Sequence, residues 1–215
     1  MIAAPHLGFA FLAMPKCASS SIEPKLLWRG MISMPRNPAL KHIPAAEFER
    51  LVVPLIELTG YRRGSYETVC LFREPIDWVH SWWRYRSRDE LATPESPGHK
   101  NYTGHVTFEE FADAYIAGRP AFARIGSQAD FVRGSADEVG VDRIFAYERI
   151  DLFVDYLAER IGTTLELDWR NSSPPRPLEL SDAGRERLRR HLRTEYRIYD
   201  DLTASTSPEA ARALN

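Results

Sequence analysis

What this sequence has little of narrows it first. Two cysteines, Cys17 and Cys70, in 215 residues cannot build a disulfide framework, which fits a reducing compartment. The formal net charge is only −2. Nothing global therefore calls for nucleic acid or an anionic membrane, and any anion site has to be a local concentration of charge. No apolar run approaches the length of a membrane-crossing helix. The apolar stretch 7–14 has no basic segment before it and ends in Pro15-Lys16, so it reads as a buried first strand rather than a secretory signal. No His-x-x-x-His and no acidic pair has ligand spacing, so no metal is expected. There is no internal repeat and no low-complexity segment.

What is present suits one soluble domain. At 44% hydrophobic and 27% charged residues the composition is that of an ordinary globular chain. We read a single domain over 1–203 and a frayed tail over 204–215. Strands are expected at 7–14, 66–72 and 143–147, from short apolar runs bounded by turns. Helical spacing predicts helices over 22–31, 45–59 (kinked at Pro54), 76–88, from 108 behind a Thr107/Glu110 capping box, 150–161 closed by Gly162, and from Ser181 towards Tyr199. The segments 34–44, 89–105 and 171–175 read as loops. Strands alternating with helices imply an α/β fold on a parallel sheet, with ligands at the carboxyl ends of the strands.

The chain is organised around Gly8-Phe9-Ala10-Phe11-Leu12-Ala13-Met14-Pro15-Lys16-Cys17-Ala18-Ser19-Ser20-Ser21-Ile22-Glu23. A strand, a tight loop and a helix start follow one another. Such a helix start presents unpaired N–H groups and a partial positive charge, so it suits a phosphate. Lys16 adds a full charge, and Ser19, Ser20 and Ser21 offer hydroxyls and an N-cap. An ordinary strand-to-helix corner with a capping serine fits the same residues. The spacing is not the G-x-x-x-x-G-K-[ST] of a nucleoside-triphosphate loop.

A second block, Arg73-Glu74-Pro75-Ile76-Asp77-Trp78-Val79-His80-Ser81-Trp82-Trp83, follows the strand at 66–72. An arginine at a sheet's carboxyl edge can grip a phosphate bidentately. Ser81 lies about two helical turns on. The alternative pairs Arg73 with Glu74 or Asp77 and leaves Ser81 as filler beside Trp82.

Together, in this order, the two blocks resemble the nucleotide-binding motifs of sulfotransferases, closest to the carbohydrate branch that includes the heparan and chondroitin enzymes. The resemblance implies a P-loop-like α/β fold with helices on both faces of a parallel sheet. It implies 3′-phosphoadenosine 5′-phosphosulfate as donor and 3′-phosphoadenosine 5′-phosphate as product, with a small-molecule or glycan acceptor and no metal. Residues Pro15, Lys16, Cys17, Ala18, Ser19, Ser20 and Ser21 would hold the 5′-phosphosulfate, with Lys16 at the bridging oxygen, and Arg73 and Ser81 would hold the 3′-phosphate. Cys17-Ala18 departs from the polar-Gly pair usual there. Members of this branch place a catalytic histidine before a helical segment. That makes His42, in Lys41-His42-Ile43-Pro44, the first choice for general base over an exposed loop histidine. His99 and His105 are the rivals, His80 reads as helix packing, and Glu47 could orient or replace the histidine.

Gln128 and Asp130 resemble a segment lining the acceptor side, and packing or capping fits them equally. Tyr147-Glu148 resembles a Tyr-Glu pair at a late strand end, with Glu148 mainly structural. Asn171 and Arg176 resemble a later loop near the nucleotide. Arginines 185, 187, 189, 190 and 193 suit either an anionic acceptor or a solvated helix face. Many eukaryotic members of this branch are membrane-anchored, so this chain is expected to be a soluble, cytoplasmic, bacterial version. Two other readings stay open: a small-molecule kinase on a related fold, which would need ATP and Mg²⁺, and a nucleotide- or glycan-binding module without catalysis.

Overall fold

Pro5 and Gly8 decide how the chain opens. Ile2–Ala4 runs as strand β1, a 3-10 turn over Pro5–Leu7 follows, and Gly8 at φ +79° returns the chain as β2, Phe9–Phe11. A Cβ at Gly8 would be strained in that left-handed backbone and would meet Arg160 Nη1 at 2.6 Å. The computed structural model describes residues 1–168 and 175–205. It completes the sheet with β3 (Ile32–Ser33), β4 (Glu67–Phe72) and β5 (Arg143–Ala146), in the order β3-β1-β2-β4-β5. β2, β4 and β5 run parallel, whereas β1 pairs antiparallel with β2 and β3.

The fold is thus α/β, but the sheet is mixed, not wholly parallel as expected. Strands joined by a turn as short as Pro5–Gly8 can pair only antiparallel. The strand expected at 7–14 is likewise shorter. Beyond Phe11 the chain leaves the ladder, although Leu12 N–H still donates to the Val69 carbonyl at 2.8 Å.

Among the described residues the helices are α1 (Ser19–Leu26), α2 (Pro38–Lys41), α3 (Ala45–Leu51), α4 (Val53–Glu57), α5 (Pro75–Arg86), α6 (Phe108–Ile116), α7 (Gln128–Val132), α8 (Ile150–Ile161), α9 (Asp182–His191) and α10 (Arg193–Ser205). The helix expected over 22–31 begins at Ser19 and ends at Leu26. The one expected over 45–59 breaks at Val52, because Pro54 has no N–H to give the preceding turn. The apolar spacing behind that expectation, Phe48, Leu51, Val52, Leu55 and Leu58, holds in part: Phe48 and Val52 are buried, whereas Leu51, Leu55 and Leu58 are exposed and Val53 and Ile56 are buried in their place. The loop at 34–44 contains α2, capped by the Asn37 side chain, which accepts from Ala39 and Leu40 N–H. The last helix breaks at Leu192. The loop reading at 171–174 and the tail reading over 206–215 lie outside the described residues.

The chain divides into two compact units. The first takes in Met1–Arg73, Gln128–Arg170 and Tyr199–Asn215; the second takes in Glu74–Ser127 and Asn171–Ile198. The first unit holds the sheet. Its core packs Phe11 on Phe153 with ring centroids 5.4 Å apart, and Phe153 on Phe145 at 5.2 Å, beside fully buried Ile22, Phe48, Val69, Leu71 and Leu157. Asp142 fixes the start of β5 to β4, accepting from Thr68 N–H at 2.7 Å, Thr68 Oγ1 at 2.8 Å and Arg63 Nη2 at 2.7 Å.

In the second unit the core is aromatic. His80 is buried against Phe108 and Trp83, its Nε2 lies 3.3 Å from the Pro177 carbonyl, and Trp83 Nε1 donates to the Val106 carbonyl. Thr107 and Glu110 close the expected capping box at the start of α6, and the Ser181 hydroxyl accepts from Gly184 N–H at the start of α9. Arg86 is a buried cation whose guanidinium donates to the carbonyls of Phe122 and Arg124; burial pushes its pKa down to about 10. No helix among the described residues is long and apolar enough to cross a membrane.

Candidate functional site

Parallel β2 and β4 open their carboxyl ends on the same edge of the first unit's sheet. From β2 the chain passes through buried Leu12–Met14 into Pro15-Lys16-Cys17-Ala18 and then α1. Lys16 at φ +65° and Ala18 at φ +54° both occupy the left-handed region, which is costly for residues with a Cβ. Ala18 is the N-cap and makes no side-chain cap bond, so the expected serine cap does not form. Ser19, Ser20 and Ser21 instead fill the first three helical positions. Ser21 and Ile22 N–H close onto the Ala18 carbonyl at 2.9 and 3.1 Å, and the Ser19 and Ser20 amides precede that first bond. The positive end of the α1 dipole and a first turn carrying three hydroxyls therefore follow directly on the loop that carries Lys16.

Strain of this kind persists where surrounding structure over-determines it, and it clusters at binding sites. Ala18→Gly is expected to raise stability in urea unfolding by about 0.5–1 kcal/mol. It removes roughly 1–2 kcal/mol of left-handed cost against about 0.4–1 kcal/mol of added unfolded-chain entropy. A loss of stability would mean that the Ala18 methyl contributes more by packing than its backbone costs.

Arg73 is the first residue past β4, and Gln128 fixes its backbone. The fully buried Gln128 side chain accepts from Arg73 N–H through Oε1 at 2.9 Å and donates from Nε2 to the Arg73 carbonyl at 2.9 Å. This amide extends β4 by one residue's worth of pairing. These two bonds go to main-chain atoms, as the packing alternative expects. The Arg73 guanidinium donates from Nη1 to the Lys16 carbonyl at 3.2 Å and lies over the Tyr147 ring, 4.5 Å from its centroid. Cys17 sits beneath, with Sγ 3.9 Å from Gln128 Oε1. Burial pushes its thiol up to about 12, against the pull of Arg73 and Lys16, so Cys17 stays protonated and serves as packing.

His42 comes to the same loop from another direction. It ends α2, and its Nδ1 lies 2.5 Å from the carbonyl of Ala13, which precedes Met14-Pro15-Lys16. A carbonyl oxygen can only accept, so the neutral ring carries its proton on Nδ1 and keeps the Nε2 lone pair. Burial lowers the His42 pKa from its ordinary value; the Lys41 ammonium and the Met1 amine push the same way, and the Ala13 carbonyl and Glu23 oppose them. The ring is thereby neutral at pH 7 with one basic nitrogen in a fixed orientation. Glu47, weighed as its helper, is exposed in the first turn of α3. The buried acid near His42 is Glu23, which sequence reasoning had assigned no role.

Three segments singled out separately, 15–21, 42 and 73, thus meet at one loop. Gln128 and Tyr147 had been seen only through the resemblance, and nothing in their spacing signalled that both would support Arg73. Glu148 accepts from Tyr199 Oη at 3.0 Å, and Asp130 pairs with Arg133 at 2.7 Å. In the second unit, Ser81 is buried within α5. There His99 Nδ1 lies 3.1 Å from the Leu91 carbonyl with its ring stacked on Tyr102, and His105 also packs on Tyr102. Arg176 lies over the Trp83 ring at 3.9 Å, Arg187 pairs with Asp113, and Arg189 covers Tyr196. Asn171 is outside the described residues. Among the described residues no group of three or more His, Cys, Asp or Glu could hold a metal ion. Comparison with protein-family models and with curated proteins finds no match to this chain.

Proposed function

We propose that this protein is a sulfotransferase moving a sulfuryl group from 3′-phosphoadenosine 5′-phosphosulfate to a hydroxyl or amine, with a small-molecule or glycan acceptor. The observation that carries the reading is the convergence on one loop. The Lys16 carbonyl receives Arg73, and the Ala13 carbonyl three residues earlier receives His42. A cation, a second cation for a further phosphate and a neutral imidazole are the three groups that transfer from a phosphosulfate needs.

In the proposed step the acceptor oxygen attacks sulfur in line, and His42 Nε2 takes its proton. The acceptor O–S bond forms as the bond between sulfur and the bridging oxygen breaks. The released electron pair stays on the 5′-phosphate, where Lys16 and the first amides of α1 neutralise it. The product nucleotide leaves with both phosphates, one on the loop and the other on Arg73. The same reading gives the protein the P-loop-like topology of that family.

Product binding tests this without knowing the acceptor. At a hundredfold its dissociation constant, 3′-phosphoadenosine 5′-phosphate should stabilise the protein by about 2.7 kcal/mol, read as a raised Tm, at concentrations where AMP and ADP give no shift. Equal shifts with AMP would remove the case for a 3′-phosphate site. A larger shift with ATP and Mg²⁺ would move the reading to phosphoryl transfer.

A further inference from the structure

Glu23 is a carboxylate at 4% exposure on α1, one helical turn past the serines. Its Oε2 receives the Lys41 ammonium at 2.8 Å, and its Oε1 receives the Met1 amine at 2.9 Å. The Met1 amine also donates to the Lys41 carbonyl at 2.7 Å. Lys41 is therefore held at both its side chain and its main chain, and the next residue is His42. A charge this buried is retained only with close partners, and breaking one partner of a buried pair is costly. The arrangement links the helix that follows the phosphate loop to the segment that carries the imidazole.

We propose that Glu23 is a positioning residue for His42: through Lys41 it holds the α2 end so that His42 Nδ1–H stays on the Ala13 carbonyl and Nε2 stays turned to the reacting acceptor. This rests on the reading of His42 as general base. The physical need is strict, because a displacement of about 1 Å in a reacting group can cost on the order of a hundredfold in rate. The hydrogen bond from His42 to Ala13 fixes the ring only if the backbone of residue 42 is itself fixed. α2, only four residues long and with none of them buried, cannot do that alone. The groups that face the ring electrostatically are Lys41, Glu23 and the Met1 amine, and Glu23 is the single anion among them.

The test uses Glu23→Gln and Lys41→Met in the full chain, since each releases the tether from one side. Both should lower release of sulfate from the phosphosulfate donor by about tenfold to a hundredfold while keeping affinity for 3′-phosphoadenosine 5′-phosphate within threefold. The two variants must part company in the ¹⁵N NMR titration of the His42 ring. Removing an anion lowers the ring's pKa, and removing a cation raises it, so the shifts should have opposite signs. In both variants the share of the Nδ1–H tautomer should fall. A role in stability alone would move neither tautomer nor rate in the folded protein. An unchanged tautomer in both variants would overturn the proposal whatever the titration shows, because the pKa shifts follow from the lost charges alone. The NMR arm also stands apart from catalysis. If the wild type binds no product nucleotide, the sulfotransferase reading fails, while the tautomer share of the ring still decides whether Glu23 positions His42.

Discussion

Lys16→Ala is expected to slow sulfuryl transfer by about a hundredfold to a thousandfold, the range seen when one preorganised stabiliser of transition-state charge is removed. Affinity for the product nucleotide should change far less. In the donor the bridging oxygen carries little charge, and a full negative charge appears there only as the bond to sulfur breaks. A cation placed at that oxygen therefore acts on the transition state more than on the ground state. The substitution is clean in one respect. Lys16 holds φ +65°, and alanine meets the same left-handed cost as lysine, so the loop backbone gains no new reason to relax. The measurement is single-turnover release of labelled sulfate from the donor, beside calorimetric titration of 3′-phosphoadenosine 5′-phosphate. Equal losses in rate and affinity would make Lys16 a ground-state phosphate ligand. If neither changes, the segment is a strand-to-helix corner and the functional reading falls with it.

The parts of this molecule legible from sequence are those whose cause is local. The Thr107/Glu110 box, the Gly162 stop and the Ser181 cap each involve residues within a turn of one another, and each forms where the pattern puts it. β4 is a buried run and β5 a short apolar one that is buried only at Ala146, each set between breakers, and their bounds move by a residue at most. What sequence did not give is set by pairing across distance. β1 is three residues long, and its existence depends on β2 and β3 lying on either side of it. The split of α3 from α4 follows from Pro54, but the resulting rotation, which buries Val53 and Ile56 and exposes Leu58, depends on what the helices pack against. In the site, Lys16, His42 and Arg73 were named from residue type, position and family resemblance. Their supports were not, because a buried glutamine on Arg73's backbone or a buried glutamate on Lys41 has no periodicity to announce it. The serine cap failed for a similar reason. The loop reaches α1 through a left-handed Ala18, which takes the N-cap position that a serine would need.

His42→Ala should cost about a hundredfold to ten-thousandfold in transfer rate, the usual contribution of a general base, with product-nucleotide affinity largely kept. The pH dependence sharpens the expectation. Burial, helped by Lys41 and the Met1 amine, holds the folded-state pKa of His42 below its ordinary value of about 6.5. A base works when deprotonated, so the rate of the wild type should fall on the acid side with a midpoint below 6.5 and should be flat from there to neutrality. The same shift has a sign for stability. A histidine whose pKa is lowered on folding is favoured neutral, so its contribution is whole above the unfolded value and is lost as pH falls from there through the lowered folded value. The variant should lose the acid limb of the rate profile and become less sensitive to mild acid in its Tm. Both readouts point to one ring, and neither depends on which acceptor is used. If His42→Ala turns over at nearly the wild-type rate with its acid limb intact, the base lies elsewhere. His99 and His105, both packed on Tyr102 in the second unit, are then the residues to replace, and the bond between His42 and Ala13 is a brace for the loop rather than the orientation of a catalyst.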